Sequence, residues 1–429
     1  MAGSSSPLRI AIVGGGIGGL SLLLGILKHT SPARIKPHLY EAAPAFAEIG
    51  AGVAFGSNSI RAMELLDPAV AAAYNKHATF HLDHGARQRK VWSSYRMGMD
   101  GRGGTNTLKA GDHIHEVRVS VERSSVHRAR FLEAMTELVP DGYVSFAKRL
   151  VGIVEDEGIK LEFADGTSVE ADAVIGCDGI KSRVRQILLA GDDNIDPVFS
   201  RKYAYRGLIP MEEAVAALGE WTAQNAHFHW GYDGHVLTFP IEHGKTMNVV
   251  AFRTKKDGKW EHGSQWVLPG NREQMLRDFE GWGTDVQAIL GMMRNADIWA
   301  LFDHPPARTY YRDSRICLLG DAAHASTPHQ GAGAGMAIED ALVLSRLLGE
   351  VQDREQLGKA FRAYDAVRRP RTQKLVTTSR DAGCLYEFQK EGIGDDVEAL
   401  RKNLDGRMRW VWDLDLEEHL REAMRLYRE

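Results

Sequence analysis

Gly14, Gly16 and Gly19 stand in the spacing G-x-G-x-x-G within Gly14-Gly15-Gly16-Ile17-Gly18-Gly19, and Glu41 follows at the end of the next apolar run. That combination binds a dinucleotide when a strand precedes the glycines, a helix follows them, and the acidic residue closes the next strand. Gly14 permits the tight turn, Gly16 lets the backbone approach a pyrophosphate, and Gly19 lets the helix pack closely on its strand. The helix N-terminus then faces the phosphates, and Glu41 accepts hydrogen bonds from the ribose hydroxyls of an adenosine. Glycine-rich turns also arise for conformational reasons, so the flanking elements carry the inference. Far downstream, Gly320-Asp321 ends another apolar run, and a second glycine-rich turn spans Gly331 to Gly335. A plain NAD-linked dehydrogenase has no need of these two features, which favours FAD as the bound dinucleotide.

The elements that must position these residues follow from periodicity. Leu8 to Val13 is a compact β-branched run, the stretch to about Lys28 is apolar and helical, and Pro37 to Tyr40 reads as a second strand, so the chain opens on a βαβ unit. Helices are expected from about Asn58 to Leu66 and, from the spacing of Phe131, Leu132, Met135 and Leu138, over Arg128 to Leu138. Between them, His81 to Gly111 is rich in Gly and His and reads as an irregular loop over a substrate. Short alternating strands follow, with Asp165-Gly166 as a hairpin turn, and Ala173 to Gly176 is a buried strand ending in Cys177-Asp178-Gly179. Aromatic-rich alternating runs at His227 to Trp230, His235 to Phe239 and Met247 to Phe252 predict an antiparallel sheet. Arg315 to Leu319 returns to a buried strand, and Met336 to Leu348 is an amphipathic helix. The expected fold class is α/β: a Rossmann-like nucleotide domain in three pieces, 1–80, 115–198 and 302–375, interleaved with a mostly antiparallel β-sheet substrate domain, 81–114 and 199–301. A C-terminal helical segment, 376–429, carries Trp410 and Trp412 as packing anchors.

Composition narrows the class. A chain of 429 residues that is 44% hydrophobic and 26% charged suits a soluble globular protein with a sizeable core. A net charge of -4 without long runs of one sign gives no footprint for nucleic acid or an anionic membrane, and neither partner is expected. Cys177, Cys317 and Cys384 lack ligand or CxxC spacing, so no metal and no disulfide framework are expected. Leu20 to Leu27 is too short to span a bilayer, and Met1 to Pro7 lacks a basic signal-peptide region, which points to a cytoplasmic protein with a frayed polar start.

Three motifs in order resemble the class A flavoprotein monooxygenases of the salicylate hydroxylase type. They are the first glycine motif with Glu41; Cys177-Asp178-Gly179 before Ser182 and Arg185; and Gly320-Asp321-Ala322-Ala323-His324, continuing as Pro328-His329-Gln330-Gly331-Ala332-Gly333-Ala334-Gly335. The resemblance runs from Leu8 to about Leu348 and weakly through Trp410-Val411-Trp412. It implies one FAD held by Gly14, Gly16, Gly19, Glu41, Ala54 and Arg128, with Asp321 on the ribityl chain and Gly333 and Ala334 beside the flavin ring. Asp178 and Gly179 match a motif the family uses between FAD and a nicotinamide coenzyme. No second Rossmann fingerprint exists, since Gly101, Gly103 and Gly104 sit in a polar stretch, so NADPH or NADH is expected as a transient cosubstrate.

The resemblance also implies that a flavin C4a-hydroperoxide delivers oxygen from O2 to a phenolate, so the protein must bind the phenol, help ionise it and exclude water. Arg206, in Tyr203-Ala204-Tyr205-Arg206-Gly207-Leu208, matches a catalytic arginine of fungal relatives acting on polyketide phenols, and a fixed guanidinium lowers a phenol's pKa. His329 matches a histidine proposed as catalytic in salicylate hydroxylases and suits a proton acceptor near neutral pH, whereas His324 is expected to cap or pack. Phe239 stands where some dearomatising relatives carry an ionising tyrosine, which leaves Arg206 or His329 for that task. Tyr205 and His235 are further candidates for the substrate pocket, and His227, His229 and Trp230 are equally readable as pocket or strand residues. Two substrates fit: salicylate, giving catechol and CO2, and a resorcinol-type polyketide phenol whose product can lose aromaticity. A non-catalytic FAD-binding protein is the reading from another class, and a monomer or homodimer is expected.

Overall fold

Leu8–Val13 is the centre of a six-stranded sheet ordered Tyr311–Arg312, Ile316–Leu318, Ala173–Gly176, Leu8–Val13, Ile35–Tyr40, Val144–Ser145. Every neighbouring pair is parallel except the Tyr311–Arg312 edge. Helices cover the sheet, and the strands Ile316–Leu318, Ala173–Gly176 and most of Leu8–Val13 are accordingly apolar, whereas Ile35–Tyr40 alternates. The helices Ile17–His29 and Gly333–Glu350 pack side by side, which brings the two glycine-rich turns at their N-termini to one end of the sheet. This computed structural model describes residues 6–46, 52–119, 123–156, 158–193, 195–313 and 315–429, the side chain of His84 excepted. Most of the expected polar start, residues 1–5, lies outside them.

The second layer is an eight-stranded sheet ordered Val267–Pro269, Asp297–Asp303, Val198–Pro210, Thr246–Thr254, Gly234–Ile241, His227–Gly231, Val91–Met97, His113–Arg118. It is antiparallel apart from the pairing of His227–Gly231 with Val91–Met97. The strand Val91–Met97 and the short helix His84–Gln88 correct the irregular loop expected over His81 to Gly111. Val91–Met97 is buried almost throughout, and its Ser93 and Ser94 are buried too, so polar residues masked a strand that both neighbours cover. The Asp165-Gly166 turn forms as expected between Ile159–Phe163 and Ser168–Ala171, with Gly166 at φ +82°. The long helix Leu357–Tyr386 runs unbroken through position 375, followed by Val397–Gly406, Arg409–Trp412 and Leu416–Arg428. Trp412 packs on Trp92 with ring centroids 4.8 Å apart. Among the described residues no helix is long and apolar enough to cross a membrane.

A buried ionic network fastens the helix Gly333–Glu350 to the C-terminal helices. Arg368 donates to Asp340 Oδ1 and Glu339 Oε2 at 2.7 Å each, and Arg371 donates to Glu339 Oε2 at 2.8 Å. Asp340 Oδ2 also lies 2.5 Å from His324 Nε2 and accepts from the Gly320 N–H at 3.2 Å. His324, expected to cap or pack within its turn, instead reaches across to Asp340 on the helix Gly333–Glu350. Burial would raise both carboxyls, but the arginines and His324 hold Glu339 and Asp340 down to about 2. The turn bearing Asp321 and the helix bearing the second glycine turn are thereby held as one unit.

Several buried histidines make stability fall in acid. Burial, the largest cause, lowers His81, His229 and His304 to about 3 and His227 and His419 to about 4. The unfolded chain takes up protons below about pH 6.5 that the folded chain refuses, so stability is full above that value and is lost as pH falls. Each such histidine contributes a loss of about 1 kcal/mol between pH 6.5 and 5.5. Thermal unfolding at pH 5.5 is therefore expected well below that at pH 7.5; equal midpoints would show that these rings are solvated.

Candidate active site

Two cavities meet at the first glycine turn. One, of about 360 Å3, is lined by Gly14, Gly15, Gly16, Glu41 and Asp178; the other, of about 370 Å3, is lined on one side by Gly16, Ala54, Arg128, Asp321 and Gly331 to Ala334. Gly16, Cys177 and Gly179 border both. Gly14 has φ +105°, and a Cβ there would lie 2.4 Å from the Cys177 carbonyl oxygen; one on Gly19 would lie 2.0 Å from the Gly14 carbonyl oxygen. A Cβ on Gly16 would meet nothing within 4 Å, because it would point into the space joining the two cavities. Glu41 accepts hydrogen bonds from the Gly15 and Ala43 N–H groups at 2.6 and 2.7 Å, which fixes its carboxylate at the cavity wall.

These features fit an extended FAD: adenosine beside Glu41, pyrophosphate over Gly16, and the flavin beside Asp321 and the N-terminus of Gly333–Glu350. The 18-residue helix brings partial positive charge to that end, suited to the electron-rich edge of a reduced flavin. Asp178 has a local task as well. It accepts from Ser182 Oγ at 2.5 Å and from the Arg183 and Val184 N–H groups at 2.7 and 3.1 Å, capping the helix Arg183–Leu188. Burial raises its carboxyl, with these hydrogen bonds opposing.

Beyond the flavin end the larger cavity becomes an aromatic chamber walled by Trp92, Tyr95, Phe228, Phe239, Phe252 and Tyr386. His329 projects into it from the short turn before the second glycine motif, is 3% exposed, and has no hydrogen-bond partner at either ring nitrogen. Its ring lies 5.0 Å from that of Phe252 and 5.2 Å from that of His235. A Cβ on Gly383, inside the helix Leu357–Tyr386, would come within 2.6 Å of His329 Nε2 and Cδ2, so a glycine makes room for the imidazole. Burial, with the nearby His235 and Lys202, holds His329 well below the ordinary histidine value.

Arg206 and Phe239 also border the chamber. The Arg206 guanidinium carbon lies 4.4 Å from the Trp299 ring centroid, and the residue is half-buried where the chamber adjoins an outer cleft. Two expected pocket residues are corrected. Along Val198–Pro210, Ala204 and Arg206 face the chamber, and the period of two turns Tyr205 to the opposite face, where it and Tyr203 each donate to Asp278 Oδ2 at 2.6 Å. His235 lies behind His329 in a closed cluster, with Nδ1 3.1 Å from Glu387 Oε1 and the Lys202 ammonium donating to Glu387 Oε2 at 2.6 Å. Neither borders the chamber. Of the strand residues left open, Trp230 stacks on Tyr386 and His227 lies against the Trp221 carbonyl, whereas the wall residue is Phe228. Sequence reading missed Trp92, Tyr95, Arg123, Phe228, Phe252 and Tyr386 as chamber residues.

Comparison with known proteins agrees with this geometry. Residues 282–379 match an FAD binding domain. The chain is 43% identical to a 6-methylsalicylate 1-monooxygenase of Aspergillus terreus, over 99% of this chain and 93% of that protein. It is 38% identical to a salicylate hydroxylase of Pseudomonas putida, over 99% and 96% of the two chains. A solved salicylate hydroxylase substrate complex superposes with a TM-score of 0.85 at 35% identity, covering 97% of this chain and 98% of that one. The chain belongs to the FAD-dependent monooxygenases of the salicylate hydroxylase type.

Proposed function

We propose that this enzyme hydroxylates an ortho-hydroxybenzoate, salicylate or a ring-methylated salicylate, at the carbon bearing the carboxylate. The ring gains one oxygen atom from O2 and loses CO2, giving a catechol; the second oxygen atom leaves as water, and NADH or NADPH supplies the hydride. FAD, when bound, supplies the chemistry that activates O2. The observation that carries this reading is His329: a neutral, buried imidazole without a partner, set in an aromatic chamber that opens directly onto the flavin end of the cradle. It accepts the phenolic proton at a ring nitrogen and so raises the electron density of the ring. Arg206 favours the resulting oxyanion from the chamber's edge, Phe239 and its aromatic neighbours exclude water, and the nicotinamide binds transiently. In the same reading, segments 1–80, 115–198 and 302–375 serve FAD, 81–114 and 199–301 serve the substrate, and 376–429 helps close the chamber through Tyr386 and Met408.

Product analysis tests it. Coenzyme oxidation with salicylate or 6-methylsalicylate is expected to yield the corresponding catechol and CO2. If both gave only hydrogen peroxide, while an orcinol-type aldehyde gained an oxygen, the carboxylated substrates would be mimics and the polyketide phenol the substrate.

A further inference from the structure

Among the described residues, Arg123 is the one strongly charged group of the chamber that the reading above leaves unused. It is 4% exposed and borders the cavity, with its guanidinium carbon 5.2 Å from the Trp92 ring centroid and 5.0 Å from that of Phe239. Among the described residues no carboxylate pairs with it, and its Nε has no hydrogen-bond partner. Among the described residues, the titratable groups close enough to influence it or be influenced by it are Tyr74, Tyr95 and His81, which are neutral at physiological pH. Burial lowers the guanidinium only to about 10, so it stays charged. A buried cation without a counter-ion opposes folding, because the hydration it gives up is not replaced. Its planar fork matches a carboxylate, and aromatic faces on two sides hold the plane in place. Arg206 is a poorer competitor for such an anion, since it is half-buried at the chamber's edge, where solvent screens its charge.

We propose that Arg123 anchors the ionised carboxylate of the substrate and makes the chamber selective for aromatic carboxylates over neutral phenols. The inference rests on the reading of this chamber as the hydroxylation site. It has a consequence for turnover. Release of CO2 removes the anion that Arg123 holds, so the catechol product loses the contact that retained the substrate, and substrate displaces product.

Calorimetric titration of the FAD-loaded enzyme with benzoate, salicylate, phenol and catechol tests the anchor without relying on turnover. Arg123→Met and Arg123→Gln are expected to weaken benzoate and salicylate by roughly tenfold or more and to change phenol and catechol by less than about threefold. Arg123→Lys should recover part of the loss. Arg123→Met should also keep its flavin and unfold at the same temperature or higher, since it removes an unpaired buried charge. Unchanged carboxylate affinity in these variants, equal weakening of neutral phenols, or a lowered unfolding temperature in Arg123→Met would each overturn the anchor. A native enzyme that hydroxylates neutral phenols but binds no aromatic carboxylate would overturn the anchor and leave the hydroxylase standing. One that binds neither class would overturn both.

Discussion

Gly16→Val is expected to purify as a soluble, colourless protein. Gly16 has φ -72° and ψ -175°, a conformation that valine adopts readily, and a Cβ there meets nothing within 4 Å, so the polypeptide itself tolerates the change. The added isopropyl group enters the space that joins the two cavities, where the pyrophosphate must lie against the backbone. Flavin content should fall to less than about one-tenth of native, measured as flavin absorbance per protein, because the dinucleotide loses the contact between its two halves. Gly14→Val and Gly19→Val provide the contrast. Their side chains would collide with backbone oxygens at 2.4 and 2.0 Å, and Gly14 also has φ +105°, so these variants should fail to fold rather than fold empty. A Gly16→Val protein with full flavin would mean that the cofactor does not cross this turn.

That contrast shows what was legible in the sequence. The glycine spacing, the buried strand before it and Glu41 specify one another locally, so the βαβ unit and a dinucleotide ligand could be read from about thirty residues, whereas the choice of FAD needed the distant Gly320-Asp321 and the second glycine turn. The Gly320-Asp321 turn was legible for the same reason. The chamber was harder, since its walls come from strands far apart in the chain. Tyr205 and Arg206 are neighbours whose alternation is certain, yet only the packing of Asp278 behind the sheet decides which of them faces inward. Glu339 and Asp340 look like the polar side of an amphipathic helix until Arg368 and Arg371, about thirty residues on, bury them as counter-ions. Arg123 was invisible because a lone arginine before a short strand ordinarily reads as surface. Its burial is a property of the assembled chamber.

His329→Ala is expected to keep its flavin and to lose about a hundredfold or more in product formation at pH 6.5, the usual scale for removing a positioned general base. Burial holds the His329 pKa well below the ordinary value, with His235 and Lys202 adding to the effect, so the imidazole is neutral throughout the working range and ready to accept a proton. Native turnover should therefore show no histidine limb between about pH 6.5 and 8.5. Without the base, only substrate already ionised as phenolate can react. A phenol with a pKa near that of tyrosine, about 10, gains roughly tenfold in phenolate per pH unit below that value, and the variant's rate should climb accordingly. The gap between variant and native enzyme then narrows as pH rises. His329→Gln, which better preserves the volume beside Gly383, should behave in the same way, because the amide cannot take up the proton. Parallel pH profiles for native enzyme and both variants would show that His329 only fills space, and the proton would then have to leave by another group in the chamber. Both outcomes are separable from a folding defect, since flavin content and unfolding temperature report the integrity of the chamber independently of its chemistry.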